Sequence, residues 1–250
     1  MKATLPTFSF KGSIMLAQPV ALNQEQHKDL KIVQKFSTEI LHDRHIAPLM
    51  LQEFTAAAPH FPIFFLKAAD AEVFSPVAVL GLKDGQNLFM KDGEWEGQYV
   101  PAGIRAYPFT LAQASEEQLV LCINEQADNV SSTEGQALFN ADGKPTEFLE
   151  GVNTFFKDYI EANGISRNIM SQLAEMGLFR ADGLQYRDLA GNERRLNGFY
   201  VIDREKFDNL TDEQFLAVRK FGVLPAIYAH FGSLERIGTL IARLPVEAKA

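Results

Sequence analysis

In the first half of the chain the apolar residues gather in short runs. Phe61–Lys67 (FPIFFLK), Ser75–Leu82 (SPVAVLGL) and Leu119–Asn124 (LVLCIN) are too short for stable helices and are bounded by turn formers or charged residues. They predict buried strands, expected to be central strands of one sheet. Asp84-Gly85 and Asp92-Gly93 are turn signals between them. Phe8–Leu16 reads as extended, Pro19 and Asn23 mark a turn, and Leu30–Phe36 fits either a strand or a helix. Pro48–Ala58 carries Leu49, Met50, Glu53, Phe54 and Ala57 at helical spacing, with Pro48 acceptable in a first turn.

The second half changes period. Over Thr146–Ala162, residues Phe148, Val152, Phe155, Phe156, Tyr159 and Ile160 form one apolar stripe, with Thr146 as N-cap and Gly164 as stop. Ser166–Met176 predicts a separate helix closed by Gly177. Leu184–Ile202 predicts two strands around Gly191-Asn192. Thr211-x-x-Gln214 is a capping box opening a helix to Phe221. Leu224–Phe231 and Leu234–Leu244 predict further helices, the last capped by Ser233. Strands followed by helices, without regular alternation, imply an α+β fold. The expected architecture is a central, mostly antiparallel sheet from the N-terminal half packed with a helical C-terminal section. One domain over residues 1–250 is expected, with the polar stretch near 125–135 as the place for any subdivision.

Composition narrows the classes. The 250 residues are 46% apolar and 22% charged, which fits a globular chain and excludes whole-chain disorder or coiled coil. With 24 basic and 32 acidic residues, the net charge of −8 argues against a nucleic-acid partner. Nine acids and two bases fall within residues 111–160, a solvated acidic face or a surface for a basic partner. A single cysteine, Cys122, excludes an intrachain disulfide and suits a reducing compartment. The longest stretch free of Asp, Glu, Lys and Arg, Phe221–Leu234, has 14 residues, below the ~18–20 that span a bilayer. No secretory signal pattern opens the chain, so a cytoplasmic location is expected, with signal-less export left open.

The usual catalytic and nucleotide-binding signatures are absent, and no cofactor is expected. Cys122 lies in an apolar strand with neither a cation nor a helix N-terminus beside it, which predicts core packing. The most unusual segment is Trp95–Phe109 (WEGQYVPAGIRAYPF). It holds the only Trp, two of the six Tyr, two Pro, two Gly and a lone Arg105. Flat aromatic area beside a fork of guanidinium donors is what a recognition surface uses, and the same composition serves to bury aromatics over a sheet. The candidate binding set is Trp95, Tyr99, Arg105 and Tyr107, with His45, Glu53 and His230 as polar partners. An alternative is an enzyme in which Glu53 acts as base and His45 or His230 as acid. His42 and His45, three apart, would reach one metal if that segment were helical.

The chain resembles the SapC family of bacterial proteins. His45, Pro48-Leu49 and Glu53-Phe54 are similar to its H-x-x-P-L-x-x-x-E-F stretch, and His60-Phe61-Pro62-Ile63 to its aromatic-Pro-Ile strand start. Gly81-Leu82 with Asn87-Leu88-Phe89 resembles its G-L…N-L-F pair. Trp95, Tyr99-Val100-Pro101, Arg105 and Tyr107-Pro108-Phe109 resemble its W…Y-V-P…R-x-Y-P-F signature. Cys122-Ile123 and Glu125 are similar to C-I-D-E, with Asn124 in place of the acid. Leu138-Phe139, Asp142-Gly143 and Pro145 resemble its L-F…D-G-x-P turn. Leu196, Gly198-Phe199-Tyr200 and Asp203 resemble its L-x-G-hydrophobic-Y…D strand, and Ala229-His230 with Ser233-Leu234 its closing A-H-x-x-S-L. The resemblance covers about residues 8 to 240. It supplies a name from a surface-layer context and no catalytic residues. A non-catalytic binding or accessory protein for a small molecule or peptide is therefore the expected function. The alternatives are the His/Glu enzyme, with or without a metal, and a surface-layer component. Self-association is left open.

Overall fold

The computed structural model of the chain describes residues 19–69, 71–113, 119–182, 184–187 and 191–245. The extended reading of Phe8–Leu16 lies outside them. The chain forms two compact units, each built from two separate stretches. One combines the segment ending at Ile40 with Ala102–Glu161, and the other combines Leu41–Pro101 with the segment beginning at Ala162. Residues 125–135 lie inside the first unit.

In the first unit, the strands Phe109–Gln113 and Leu119–Ile123 pair antiparallel, and Val20–Ala21 adds to the free edge of the second. A smaller sheet places Lys31–Ile32 between Val130–Ser131 and Gln136–Ala137. Against these packs the N-terminal part of a long helix, Glu147–Glu175. Its Leu149 and Phe156 join Ile32, Phe109, Ile123 and Leu138 in one buried cluster. Thr146 caps it as its sequence predicts, its Oγ1 accepting from the Leu149 N–H at 3.4 Å and donating to the Ala137 carbonyl at 2.7 Å.

The second unit is organised on a five-stranded antiparallel sheet. Its order is Phe179–Ala181, Phe199–Ile202, Ile63–Lys67, Phe74–Val79, Ile46–Pro48. Helices Arg204–Asp208, Asp212–Lys220, Leu224–Ser233 and Ile237–Ala242 complete it. Phe54, Phe61, Ile63, Phe65 and Leu80 are fully buried in its core, and Phe74 stacks on Phe179 at 4.0 Å. No described helix is long and apolar enough to cross a membrane.

The α+β class is observed, as several antiparallel sheets with C-terminal helices. Four local expectations are corrected. The run Leu119–Ile123 does not join the strands at 63–67 and 74–79 but belongs to the other unit's sheet. Pro48 ends an edge strand rather than opening a helix. An edge tolerates a residue without an N–H, and helical backbone begins only at Leu51–Glu53 and Phe54–Ala57. Gly164 does not stop a helix. Ser166, Met170 and Leu173 are buried beyond it, and their packing offsets the cost of about 1 kcal/mol for a helical glycine. The helix ends instead at Gly177, whose φ of 67° permits the paired bonds Leu178 N–H to Leu173 O and Gly177 N–H to Ala174 O. Ser233 does not cap the last helix and has a bonding role within the core.

Candidate functional site

The Trp95–Phe109 segment crosses from one unit to the other between Pro101 and Ala102. Its residues are therefore held by different surroundings. Trp95 and Tyr99 belong to the second unit, Arg105 and Tyr107 to the first.

In the second unit Trp95 closes a tight hairpin, Met90–Lys91 with Glu94–Trp95. Asp92 and Gly93 turn it with φ of 52° and 83°, the double left-handed geometry of a two-residue turn. The indole packs on Phe89 and Phe61 at 5.6 and 6.1 Å, and its buried Nε1 has no hydrogen-bond partner among the described residues. Gly97 lies so close over the ring that a Cβ there would sit 2.4 Å from it. Tyr99 donates its hydroxyl to Glu53 Oε1 at 2.7 Å, and Glu53 Oε2 accepts the Met50 N–H at 2.9 Å. This carboxylate is buried and satisfied by a phenol and by backbone, joining two of the sequence-predicted residues. His45 precedes an edge strand and pairs through Nδ1 with Asp84 at 3.2 Å. His42 lies in a turn and His45 in a bend, so the helical-spacing argument for a shared metal does not apply. Among the described residues no group of three or more His, Cys, Asp or Glu is arranged to hold a metal ion.

His230 is fully buried on helix Leu224–Ser233. Its Nδ1 donates to the Ile63 carbonyl at 2.9 Å and its Nε2 accepts the Ile202 N–H at 3.1 Å, a tautomer set by those two partners. Ser233 accepts the Ile63 N–H at 3.0 Å and donates to the His230 carbonyl at 2.6 Å. Both backbone groups of Ile63 are thus met by one helix. Burial pushes the His230 pKa down to about 4, with the Ile63 bond opposing it. The imidazole is neutral and fully engaged in joining the helix to two strands.

In the first unit Tyr107 is buried and anchored on both sides. Its hydroxyl donates to Glu39 Oε2 at 2.9 Å and accepts from Asn124 Nδ2 at 2.9 Å. Burial, then Glu39, raise the phenol well above its ordinary range. The backbone is pinned alongside, Asn124 N–H bonding to the Pro108 carbonyl at 2.9 Å. This brace presents Arg105 on the short helix Ala102–Arg105. Arg105 is exposed, and its guanidinium makes no hydrogen bond or ion pair with any described residue.

Arg105 borders a groove of about 480 Å³ formed within this unit. Residues 32–35, 105–109 and Asn129 line it, together with Glu147, Phe148, Gly151, Val152, Phe155 and Phe156 of the long helix. Most of that surface is phenyl and aliphatic. Its other cation, Lys35, is paired with Asp128 at 3.0 Å. Burial works to raise the Asp128 carboxyl, but hydrogen bonds from Ser37 and Lys35 and the Lys35 charge outweigh it and leave it below the usual range. Cys122 is buried, and its thiol is pushed up by desolvation, as expected of a packing residue.

Of the seven sequence-predicted residues, Arg105 and Tyr107 line this groove. Trp95, Tyr99, Glu53, His45 and His230 make their contacts in the second unit. The helix stripe Phe148, Val152, Phe155 and Phe156, read from sequence as packing surface, contributes to the groove as well. Asn129 carried no signal, lying in what reads as an acidic linker. The SapC family model matches residues 22–240 of the chain. Neither a curated protein nor a solved structure matches it.

Proposed function

This chain belongs to the SapC family, and we propose that it is a non-catalytic binding protein whose first unit holds a small apolar anion beside Arg105. The observation that carries the reading is a guanidinium with no partner among the described residues at the border of a phenyl-lined groove. A guanidinium offers a planar fork of donors that matches a carboxylate. The rings of Phe109, Phe148 and Phe155 offer flat apolar area to the rest of such a molecule. A volume of 480 Å³ falls in the range of small-molecule sites, roughly 300–1,000 Å³. Lys35 is paired with Asp128, which leaves Arg105 as the groove's unpaired cation among the described residues, while the carboxylate of Glu147 at the start of the long helix is exposed.

Titration calorimetry of the full chain against a panel of aryl and alkyl carboxylates tests the reading. The expected result is binding by an apolar carboxylate that Arg105→Ala weakens about tenfold, as loss of a charge-assisted bond implies. Arg105→Lys should recover part of it. Affinities indifferent to both substitutions would remove the groove from consideration.

A further inference from the structure

The groove contains a second unsatisfied group. Asn129 is 3% exposed and lines it. The backbone carbonyl of Asn129 is used, accepting the Val33 N–H at 2.9 Å. Its side-chain Oδ1 is buried and has no hydrogen-bond partner among the described residues. Buried amide oxygens are nearly always paired, because leaving one without a donor forfeits its hydration for nothing. Among the described residues Asn129 Oδ1 therefore lacks a donor, as Arg105 lacks an anion, and both residues line one apolar groove.

Resting on the groove reading above, we propose that the ligand is an N-acylated aromatic amino acid, free or at the carboxy-terminus of a peptide. Its carboxylate pairs with Arg105, its amide N–H donates to Asn129 Oδ1, and its ring lies among the phenyl groups of the long helix. An amide suits the site better than an ammonium. Asn129 is a neutral acceptor and is 3% exposed, so an ammonium donating to it would give up hydration that one amide oxygen does not replace, and the groove's carboxylate, Glu147, is itself exposed to solvent.

The test compares N-acetylphenylalanine, 3-phenylpropionate and 3-phenyllactate by calorimetry on the full chain, in the wild type, Arg105→Ala and Asn129→Ala. Asn129→Ala deletes an unsatisfied group, so it should fold, which a thermal melt checks. N-acetylphenylalanine should bind about fivefold to tenfold tighter than 3-phenylpropionate, and Asn129→Ala should abolish that advantage while leaving 3-phenylpropionate unchanged. Arg105→Ala should weaken both. If 3-phenylpropionate binds equally well and Asn129→Ala changes nothing, the acylamino reading fails while the Arg105 groove stands. If 3-phenyllactate matches the acetylated compound, the amide is wrong. If no probe binds, both readings fall. An acetylated tripeptide ending in phenylalanine separates the two sources: tighter binding points to a peptide terminus, weaker binding to the free compound.

Discussion

Acid should loosen the second unit through His230. The ring is fully buried, neutral, and bonded to Ile63 and Ile202, with its pKa at about 4 against an ordinary 6.5. Between those values the unfolded chain takes up a proton that the folded chain refuses. Stability from this group is therefore complete above pH 6.5 and is lost as pH falls toward 4. The gap between the ordinary 6.5 and about 4 corresponds to about 3 kcal/mol at the acid end and about 1 kcal/mol near pH 5.5. That is a large share of a domain's usual margin of roughly 5–15 kcal/mol. The perturbation is His230→Gln, which keeps an amide donor and acceptor but cannot titrate. Urea unfolding of both proteins from neutral pH down to about 4.5 supplies the comparison, with histidine ring NMR following the pKa directly. The variant should be less stable at neutral pH and lose less on acidification, so that the two curves converge. Parallel curves, or a His230 resonance titrating near 6.5, would refute a neutral buried ring.

Two further substitutions probe other parts of the structure. Gly164→Ala should stabilise the chain by about 0.5–1 kcal/mol in a thermal or urea melt, because Gly164 is interior to Glu147–Glu175 and a Cβ there meets nothing within 4 Å. A loss of stability would mean that the helix is interrupted there. Asn124→Asp should destabilise the first unit by about 1–3 kcal/mol at neutral pH. Tyr107 has one proton, already donated to Glu39, so a carboxylate at 124 would face the phenol oxygen without a hydrogen between them. The effect should shrink at low pH as the new acid protonates, and a pH-independent effect would point elsewhere.

How far the chain could be read before folding depends on the reach of each signal. The Asp92-Gly93 turn, the Thr211/Gln214 box and the Gly177 stop were legible because each depends on residues within about one helical turn or one hairpin. The strand runs were legible as strands for the same reason. Their assignment to sheets was not, since Leu119–Ile123 pairs with Phe109–Gln113 and Val20–Ala21 rather than with the other apolar runs. The family signature was visible, yet what several of its residues do was not. His230 and Ser233 bond the backbone of Ile63, more than a hundred residues away, and Glu53 meets Tyr99.

The sequence by itself determined the class of fold, most local elements, Arg105 and Tyr107 as candidates, and family membership. Tertiary structure alone decided that Gly164 lies inside a helix, that the aromatic segment divides between two units, and that Asn129 joins Arg105 at one groove. The reason is physical. Propensities, caps and turns act between neighbours along the chain, whereas strand partners, buried hydrogen bonds and cavities are set by which distant surfaces exclude water together.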